Sequence, residues 1–145
     1  CKNNRVFIFE NPAVFQSIIQ DTDIDESIIC TSGQLNLSSY MLLNKIKNLD
    51  KIYYAGDFDP EGLQIADKLK DLYKDKVEFM LYDEKYYEKI ISDKELDLKR
   101  ISKLKSIKDN DLKYICDSLR KYKKAAYQEL LIDEYKQYIR QQVKG

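Results

Sequence analysis

The sequence predicts an α/β fold: a mostly parallel four-stranded sheet of the Rossmann-like type with helices on both faces, plus a C-terminal helical hairpin. Short runs of β-branched and aromatic residues alternate four times with stretches whose apolar residues recur at helical spacing. Such alternation is typical of parallel sheets with right-handed crossovers. The length of 145 residues and the hydrophobic fraction of 43% suit about one globular domain with its own core.

The first strand is predicted at residues 5–9, and it ends at Glu10. Asn11 and Pro12 follow. Asn is a preferred N-cap residue, and Pro suits the first helical position because its missing N–H has no helical partner there. A helix with apolar residues within 13–19 is therefore expected directly after Glu10.

The second strand is predicted at residues 27–31, after a polar and acidic connection. Ser32, Gly33 and Gln34 indicate a turn, and apolar residues at helical spacing predict a helix from residue 35 to about residue 48. Ser32 and Gly33 could offer a hydroxyl or backbone N–H groups to a phosphate. A simple turn is the favoured interpretation.

The third strand is predicted at residues 52–55, an apolar run of the kind found in strands covered on both faces. Gly56-Asp57-Phe58-Asp59-Pro60 follows, with Asp59 at an N-cap position and Pro60 at the start of a helix. The order of strand, acid, cap, proline and helix is the same as that around Glu10.

A fourth strand is predicted at residues 76–82, followed by Asp83, Glu84 and a short helix with apolar residues within 86–91. Residues 93–108 carry many lysines and no clear periodicity, so a loop or weakly ordered connection is expected there.

Two helices are predicted at the C-terminal end, with apolar residues within 112–119 and 125–138. We expect them to pack as a hairpin on the sheet. The predicted organisation is an α/β domain at residues 1–92, and a basic connection with packed helices at residues 93–145.

Composition excludes several kinds of chemistry. Histidine is absent, which excludes Ser-His and Cys-His catalysis within this chain and argues against a zinc site. The cysteines Cys1, Cys30 and Cys116 are odd in number and widely spaced, as in a cytoplasmic protein with idle thiols. No apolar run is long enough to span a membrane, and these residues show no secretory signal pattern. Because the chain starts at Cys1, we expect it to be a piece of a longer protein or a chain that lacks its disordered start.

The net charge of zero conceals an asymmetry. Residues 1–98 contain 12 basic and 19 acidic residues, whereas residues 99–124 contain 10 basic and 3 acidic ones. A basic segment beside an acidic domain suits DNA binding, although lysines on solvated helices would give the same pattern. The candidate phosphate contacts are Lys99, Arg100, Lys103, Lys105, Lys108, Arg120, Lys121, Lys123 and Lys124.

The candidate site is formed by Glu10, Asp57 and Asp59. Ligands of open α/β sheets bind beyond the carboxyl ends of the strands, and in a 2-1-3-4 strand order these three acids would converge there. Neighbouring carboxylates repel one another unless a proton or a cation lies between them, and Mg²⁺ (or Mn²⁺) is the usual cation. Asp83 would end the next strand as a fourth carboxylate. The alternative is that Asp59 only caps its helix and Asp57 only shapes the turn.

The acids suggest metal-dependent phosphoryl transfer, in which a cation polarises a phosphate oxygen and leaves room for an attacking water. Glu10 is the candidate general base or holder of a second metal. Glu61 lies in the first turn of a predicted helix, where the helix dipole favours a negative charge, so we assign it a structural role.

These residues resemble the Toprim domain of topoisomerases, bacterial primases and the OLD and RecR families, with a Glu closing the first strand and Asp-x-Asp closing a later one. Gly56–Gly62 with Ile65 and Ala66 is similar to the type VI topoisomerase A subunit and the meiotic double-strand-break protein. Phe9–Pro12 and Thr31–Gln34 resemble the C-terminal domain of unknown function in bacterial proteins related to the nuclease subunit of Wadjet plasmid-defence systems.

The resemblance covers residues 5–92 with motif support and residues 109–142 only loosely, and it implies a Toprim-like sheet. It implies that Asp57 and Asp59 bind Mg²⁺, that Glu10 is a third ligand or a general acid/base, and that the reaction is DNA cleavage or another phosphoryl transfer. Topoisomerases use a tyrosine from a separate domain, and none of the 12 tyrosines here stands out. Hydrolysis by a metal-activated water is thus expected, with a partner domain upstream.

Two other classes of function remain open. The chain could be a non-catalytic DNA-binding or topoisomerase-like module that needs a partner domain. It could also be a receiver-like phosphoacceptor or an Asp-x-Asp phosphatase. That class fits least well because its acids follow the first strand, where this chain has only Glu10.

Overall fold

The structure, a computed structural model, describes residues 4–21, 23–31 and 49–144. Its main sheet has four parallel strands in the order β2-β1-β3-β4, which confirms the predicted α/β fold and the 2-1-3-4 order. The strands are β1 (Arg5–Phe9), β2 (Ser27–Cys30), β3 (Lys51–Ala55) and β4 (Val77–Phe79).

Six α-helices accompany the strands in the described part of the chain: α1 (Pro12–Ile19), α2 (Pro60–Tyr73), α3 (Glu84–Ile90), α4 (Leu98–Ser102), α5 (Lys113–Tyr122) and α6 (Ile132–Lys144). Short 3₁₀ turns lie at Lys74–Lys76, Lys103–Ser106, Asn110–Leu112 and Gln128–Leu131. The predicted turn at residues 32–34, the predicted helix at 35–48 and Cys1 lie outside the described residues. No helix of the described ranges is long and apolar enough to cross a membrane.

Side-chain caps fix where the helices begin. Asn11 Oδ1 accepts the N–H of Ala13 at 2.8 Å, and Pro12 takes the first position of α1. Asp59 and Pro60 do the same for α2. Each cap satisfies a backbone N–H that has no partner within its helix. The two turns predicted to match are therefore built alike.

The core lies along the two central strands. Val6 to Phe9 and Ile52 to Ala55 are buried, as expected for parallel strands covered on both faces. Phe7 and Tyr53, paired across β1 and β3, stack with their ring centroids 4.8 Å apart. One hydrophobic cluster joins these strands to residues of α5 and α6, so the C-terminal segment shares the same core.

The loop or weakly ordered connection predicted at residues 93–108 is corrected by the structure. The segment contains the end of β5 (Ile91–Glu95), then α4 and a 3₁₀ turn. β5 pairs antiparallel with β6 (Lys124–Ala126) in a second, two-stranded sheet. Residues 93–95 are exposed and polar, so they show no periodicity. Their strand conformation comes from a partner some 30 residues away in sequence, which local patterns do not reveal.

The helix predicted within 125–138 is also corrected, because it begins only at Ile132. Ala125 and Ala126 are strong helix formers, yet Ala126 forms an antiparallel bridge with Phe58. Tertiary pairing overrides local propensity here. β6 and a 3₁₀ turn separate the two C-terminal helices, and each packs on its own neighbour: α5 on α3, and α6 on α1.

Candidate carboxylate site

Glu10 and Asp57 meet at the carboxyl ends of the two central strands. Phe9 and Ala55 are register partners at the ends of β1 and β3, so the residues that follow them leave the sheet side by side. The N–H of Asp57 donates to Glu10 Oε2 at 2.9 Å, and the N–H of Glu10 donates to Ala55 O at 3.3 Å. The two turns are thus held together directly.

Asp59 completes the group beside Gly62, in the first turn of α2. Asp59 is 9% exposed, and its Oδ1 accepts the N–H of Gly62 at 2.7 Å. A Cβ placed on Gly62 would overlap the main-chain oxygen of Asp57, and it would lie 3.1 Å from Asp59 Oδ1 and 3.2 Å from Glu10 Oε2. Oxygens of all three predicted site residues therefore surround one glycine.

Two tyrosine hydroxyls donate hydrogen bonds to backbone oxygens at the Asp57–Gly62 turn. The hydroxyl of Tyr82 donates to the main-chain oxygen of Asp57 at 2.8 Å, and the hydroxyl of Tyr54 donates to Gly62 O at 3.3 Å. A Cβ on Gly56 would overlap the Tyr54 hydroxyl and lie 2.8 Å from Glu10 Oε2. Glycine at position 56 thus lets the Glu10 carboxylate approach the backbone closely.

Gln128 is a site residue that the sequence analysis missed. Its backbone N–H donates to Asp57 Oδ1 at 2.8 Å, while its own Oε1 accepts the N–H of Asn11 at 2.7 Å. No residue pattern near Gln128 indicates this role. The contact depends on β6, whose bridge to Phe58 brings the C-terminal segment to the site.

All three carboxylates have raised pKa values. Burial is the largest cause for each: it raises the pKa of Glu10 to about 8 and that of Asp57 to about 6, and it also raises the pKa of Asp59. Backbone N–H donors lower each pKa, whereas the charges of neighbouring acids raise it further. The fold therefore holds buried acids close together at a cost that a proton or a cation relieves.

Glu61 lies at the rim of the site and has its own basic partners. Arg100 donates to both of its oxygens, from Nε at 3.0 Å and from Nη2 at 2.8 Å, and Lys103 Nζ adds a contact at 3.1 Å. Although burial alone would raise it, these hydrogen bonds lower the pKa of Glu61 to about 2. Arg100 Nη2 also lies 3.6 Å from Asp59 Oδ2. Glu61 thus anchors α4 to α2, in keeping with its predicted structural role.

The other predicted residues have partners of their own or are exposed. Asp83, the predicted fourth carboxylate, is exposed and caps α3, with its Oδ1 accepting the N–H of Tyr86 at 3.0 Å. Of the candidate phosphate contacts, Arg100 and Lys103 are occupied by Glu61. The remaining ones that are exposed are Lys99, Lys105, Lys108, Arg120, Lys121 and Lys123.

The donor atoms of the group suit a hard divalent cation, which prefers oxygen ligands. Within the described ranges, Glu10 Oε1 and Asp57 Oδ2 accept no hydrogen bond from the protein, so each carboxylate keeps one oxygen for a ligand. No group of three or more His, Cys, Asp or Glu residues in these ranges is arranged to hold a metal ion. The donor chemistry fits a cation, while the carboxylates do not form a ready-made cage.

A comparison with curated proteins finds no match to this chain, whereas a comparison with protein-family models does find a match. The family model described as "Protein of unknown function C-terminus (DUF2399)" matches residues 1–139, nearly the whole sequence. The chain therefore belongs to the DUF2399 family of C-terminal domains.

Proposed function

We propose that this protein is a DNA nuclease of the Toprim type, related to the Wadjet nuclease subunit, that cleaves phosphodiester bonds with Mg²⁺ or Mn²⁺. The observation that carries the proposal is the hydrogen bond from the Asp57 N–H to Glu10 Oε2, 2.9 Å long, which joins acids at the ends of adjacent parallel strands. This edge of an α/β sheet is where ligands bind. The motif resemblance around both turns supports the same reading.

Each acid has a distinct role in the proposed reaction. Asp57 and Asp59 would hold the cation, which when bound supplies Lewis-acid polarisation of a phosphate oxygen. Burial raises the pKa of Glu10 to about 8, so a substantial share of Glu10 is unprotonated only near pH 8, where it would accept a proton from an attacking water. The Gln128 and Gly62 N–H groups orient Asp57 and Asp59 by occupying one oxygen of each.

DNA as the substrate is supported by the exposed basic residues of the segment that follows the sheet. Lys99 and Lys105 lie on or beside α4, the helix that Arg100 ties to the rim of the site. Such side chains would contact phosphates and carry no sequence preference. We therefore propose backbone recognition of DNA, with affinity that falls as salt is raised.

Nicking of supercoiled plasmid with Mg²⁺ or Mn²⁺ tests the proposal. We expect the wild-type protein to nick the plasmid, EDTA to abolish nicking, and Asp57→Asn to reduce the rate by about 100-fold or more. Asp83→Asn is the matched control, since Asp83 is an exposed acid after the next strand along the sheet, and it should keep the wild-type rate. Equal nicking by the wild type and Asp57→Asn would contradict the catalytic assignment.

A non-catalytic DNA-binding module is the second candidate. It is favoured by the absence, within the described ranges, of a three-acid group arranged to hold a metal ion. This candidate predicts that the protein retards DNA in a gel-shift assay and that neither metal produces nicks. DNA binding without nicking by wild-type protein would replace the nuclease proposal with this one.

A further inference from the structure

We propose that Gln128 is a positioning residue of the carboxylate site, which sets the turn carrying Glu10 against the turn carrying Asp57. The inference rests on the proposed function for its consequence, metal binding, but its geometry stands on contacts of the chain itself. Gln128 comes from the C-terminal segment, far in sequence from both acids. It would be the residue through which that segment controls the site.

The side chain of Gln128 is fully buried and has a polar partner at each end. Its Oε1 accepts the N–H of Asn11 at 2.7 Å, and its Nε2 donates to the hydroxyl of Tyr135 at 3.4 Å. Asn11 directly follows Glu10, so this bond fixes the backbone that carries the Glu10 side chain. Burying an amide side chain in an apolar core is costly unless it is bonded, which indicates that these bonds are needed.

The backbone of Gln128 reaches the second turn. Its N–H donates to Asp57 Oδ1 at 2.8 Å. The backbone is held in place by two bonds of the bridge just before it, Phe58 N–H to Ala126 O at 2.8 Å and Ala126 N–H to Phe58 O at 3.0 Å. One residue thus binds the Asp57 side chain and the Glu10 turn at once.

Tyr135, the hydrogen-bond partner of Gln128 Nε2, is itself packed against the sheet. Tyr135 packs edge-on against Phe9, the last residue of β1, with ring centroids 5.2 Å apart. Tyr135 therefore connects the Gln128 side chain back to the strand from which Glu10 emerges. If the Gln128 side chain is lost, the Asn11 N–H loses its acceptor and the Glu10 turn can shift away from the Asp57 N–H.

Two substitutions separate positioning from general stability. Gln128→Met keeps the length of the side chain but removes the acceptor, and Gln128→Glu, which stays protonated when buried beside the other acids, keeps a neutral acceptor for Asn11. Tyr135→Phe is the matched control, because it removes only the hydroxyl bonded to Nε2 and leaves the ring against Phe9. Thermal melting of each variant first establishes that it is folded.

The first measurement is hydrogen exchange at the Asp57 amide, which reports its bond to Glu10 without any metal. We expect exchange about 10-fold faster in Gln128→Met and wild-type rates in Gln128→Glu and Tyr135→Phe. The Met80 amide, which donates to Tyr54 O at 2.8 Å, is the internal reference and should not change. Unchanged exchange at Asp57 in Gln128→Met, or equal acceleration at Met80, would overturn the positioning role.

The second measurement is the affinity for Mn²⁺ alone, read from the electron paramagnetic resonance of the free ion. We expect about 10-fold weaker binding in Gln128→Met, with Gln128→Glu restoring it, as for other residues that orient metal ligands. Wild-type affinity in Gln128→Met would refute the control of metal binding by Gln128. If the wild type itself binds no Mn²⁺, the proposed function fails, whereas the exchange experiment still decides the role of Gln128.

Discussion

Asp59 has a structural role as the cap of α2 and, in the proposed function, a chemical role as a cation ligand. Its Oδ1 caps α2, while Oδ2 points toward the rim, 3.6 Å from Arg100 Nη2. Capping needs only an acceptor, which Asn also provides, whereas holding a cation needs a negative charge. Conservative substitutions can therefore separate the two roles.

We expect Asp59→Asn to keep the stability of the wild type and to lose nicking, and Asp59→Ala to lose both. The Ala variant should unfold with a free energy about 1 kcal/mol lower, because the Gly62 N–H is left without its cap. Urea unfolding and plasmid nicking measure the two effects. Nicking at the wild-type rate by Asp59→Asn would remove Asp59 from the proposed cation site.

Glu10 lowers the free energy of unfolding as the pH rises, which is opposite to the effect of most carboxylates. Because burial raises the pKa of Glu10 from 4.5 to about 8, the folded state keeps a proton that the unfolded state releases between these values. Stability is thus fully present below about pH 4.5 and is lost as the pH rises toward about 8. Asp57, with a pKa raised from 3.8 to about 6, acts in the same direction over a narrower window.

Replacing Glu10 by Gln should stabilise the protein at pH 8 and abolish the proposed nicking. Gln still accepts the Asp57 N–H but carries no charge to bury, so the free energy of unfolding should rise by about 1–3 kcal/mol, given about 1.4 kcal/mol for each pKa unit. Urea unfolding at pH 5 and pH 8 measures this. The gain should be small at pH 5, where Glu10 is itself protonated; an equal gain at both pH values would contradict the raised pKa.

The sequence predicts the three acids of the candidate site, but it does not predict the residues that hold them in place. Glu10, Asp57 and Asp59 stand in local patterns of strand, acid, cap and proline, and the structure brings them together. Gln128 stands in no such pattern, because its partners are set by folding. Arg100 shows the reverse case: its basic charge suggested DNA, and the structure pairs it with Glu61.

At the scale of elements, the start of α2 depends on a glycine where helices normally disfavour one. Gly62 lies in the first turn of α2, and its Cα is enclosed by oxygens of Asp57, Asp59 and Glu10. Elsewhere on an exposed helix, Ala is about 1 kcal/mol more favourable than Gly. Here the added Cβ would meet a backbone oxygen that cannot rotate away.

We therefore expect Gly62→Ala to lower the free energy of unfolding by about 1–3 kcal/mol, as overpacking does, instead of raising it. Urea unfolding provides the measurement. Asp71→Ala, an exposed position of the same helix, is the control and should change stability by less than about 0.5 kcal/mol. Stabilisation by Gly62→Ala would contradict the close approach of the Asp57 main-chain oxygen to Gly62.

The elements that could be predicted are those whose pattern is local. β1, β3 and α2 combine apolar periodicity with caps, and their positions agree closely with the prediction. β5 and β6 are short, and their ladder joins residues 91–95 to residues 124–126. Polar Asp93 and Lys94 resemble a loop in isolation, and only the distant partner strand makes them part of a sheet.

At the scale of the whole molecule, the C-terminal segment is part of the sheet domain's own core. Tyr135 packs on Phe9, Ala126 pairs with Phe58, and Arg5 Nη1 donates to Gln142 O at 2.9 Å. Without that segment, the buried face of β1 would lose its cover. Residues on the two sides of the predicted boundary at residue 92 therefore pack into one core.

We expect the fragment of residues 1–92 to lack a cooperative unfolding transition, because it would expose Phe9 and Phe58 and leave Asp57 Oδ1 without its donor. Circular dichroism during urea titration of the fragment and of the full chain tests this. A cooperative transition of the fragment at the same urea midpoint as the full chain would show that residues 93–145 add nothing to stability.

Binding of a divalent cation should raise the melting temperature of the whole chain. Mass action stabilises the folded state by about 2.7 kcal/mol when the ligand is at 100 times its dissociation constant. The shift with Mn²⁺ should be larger at pH 8 than at pH 6, because protons compete for Glu10 and Asp57 at the lower pH. Differential scanning fluorimetry measures it, and an equal shift in Asp57→Asn would place the cation elsewhere.

The bond from the Gln128 N–H to Asp57 Oδ1 has a consequence for the order of events during synthesis. A ribosome makes Glu10, Asp57 and Asp59 early, yet the donor that fixes Asp57 emerges only with residue 128, after β6. Contacts this distant in sequence form late, since a long loop must close first. A nascent or prematurely terminated chain thus carries all three acids without the Gln128 N–H that holds Asp57, and we expect the proposed cation site to form only after translation has passed Gln128.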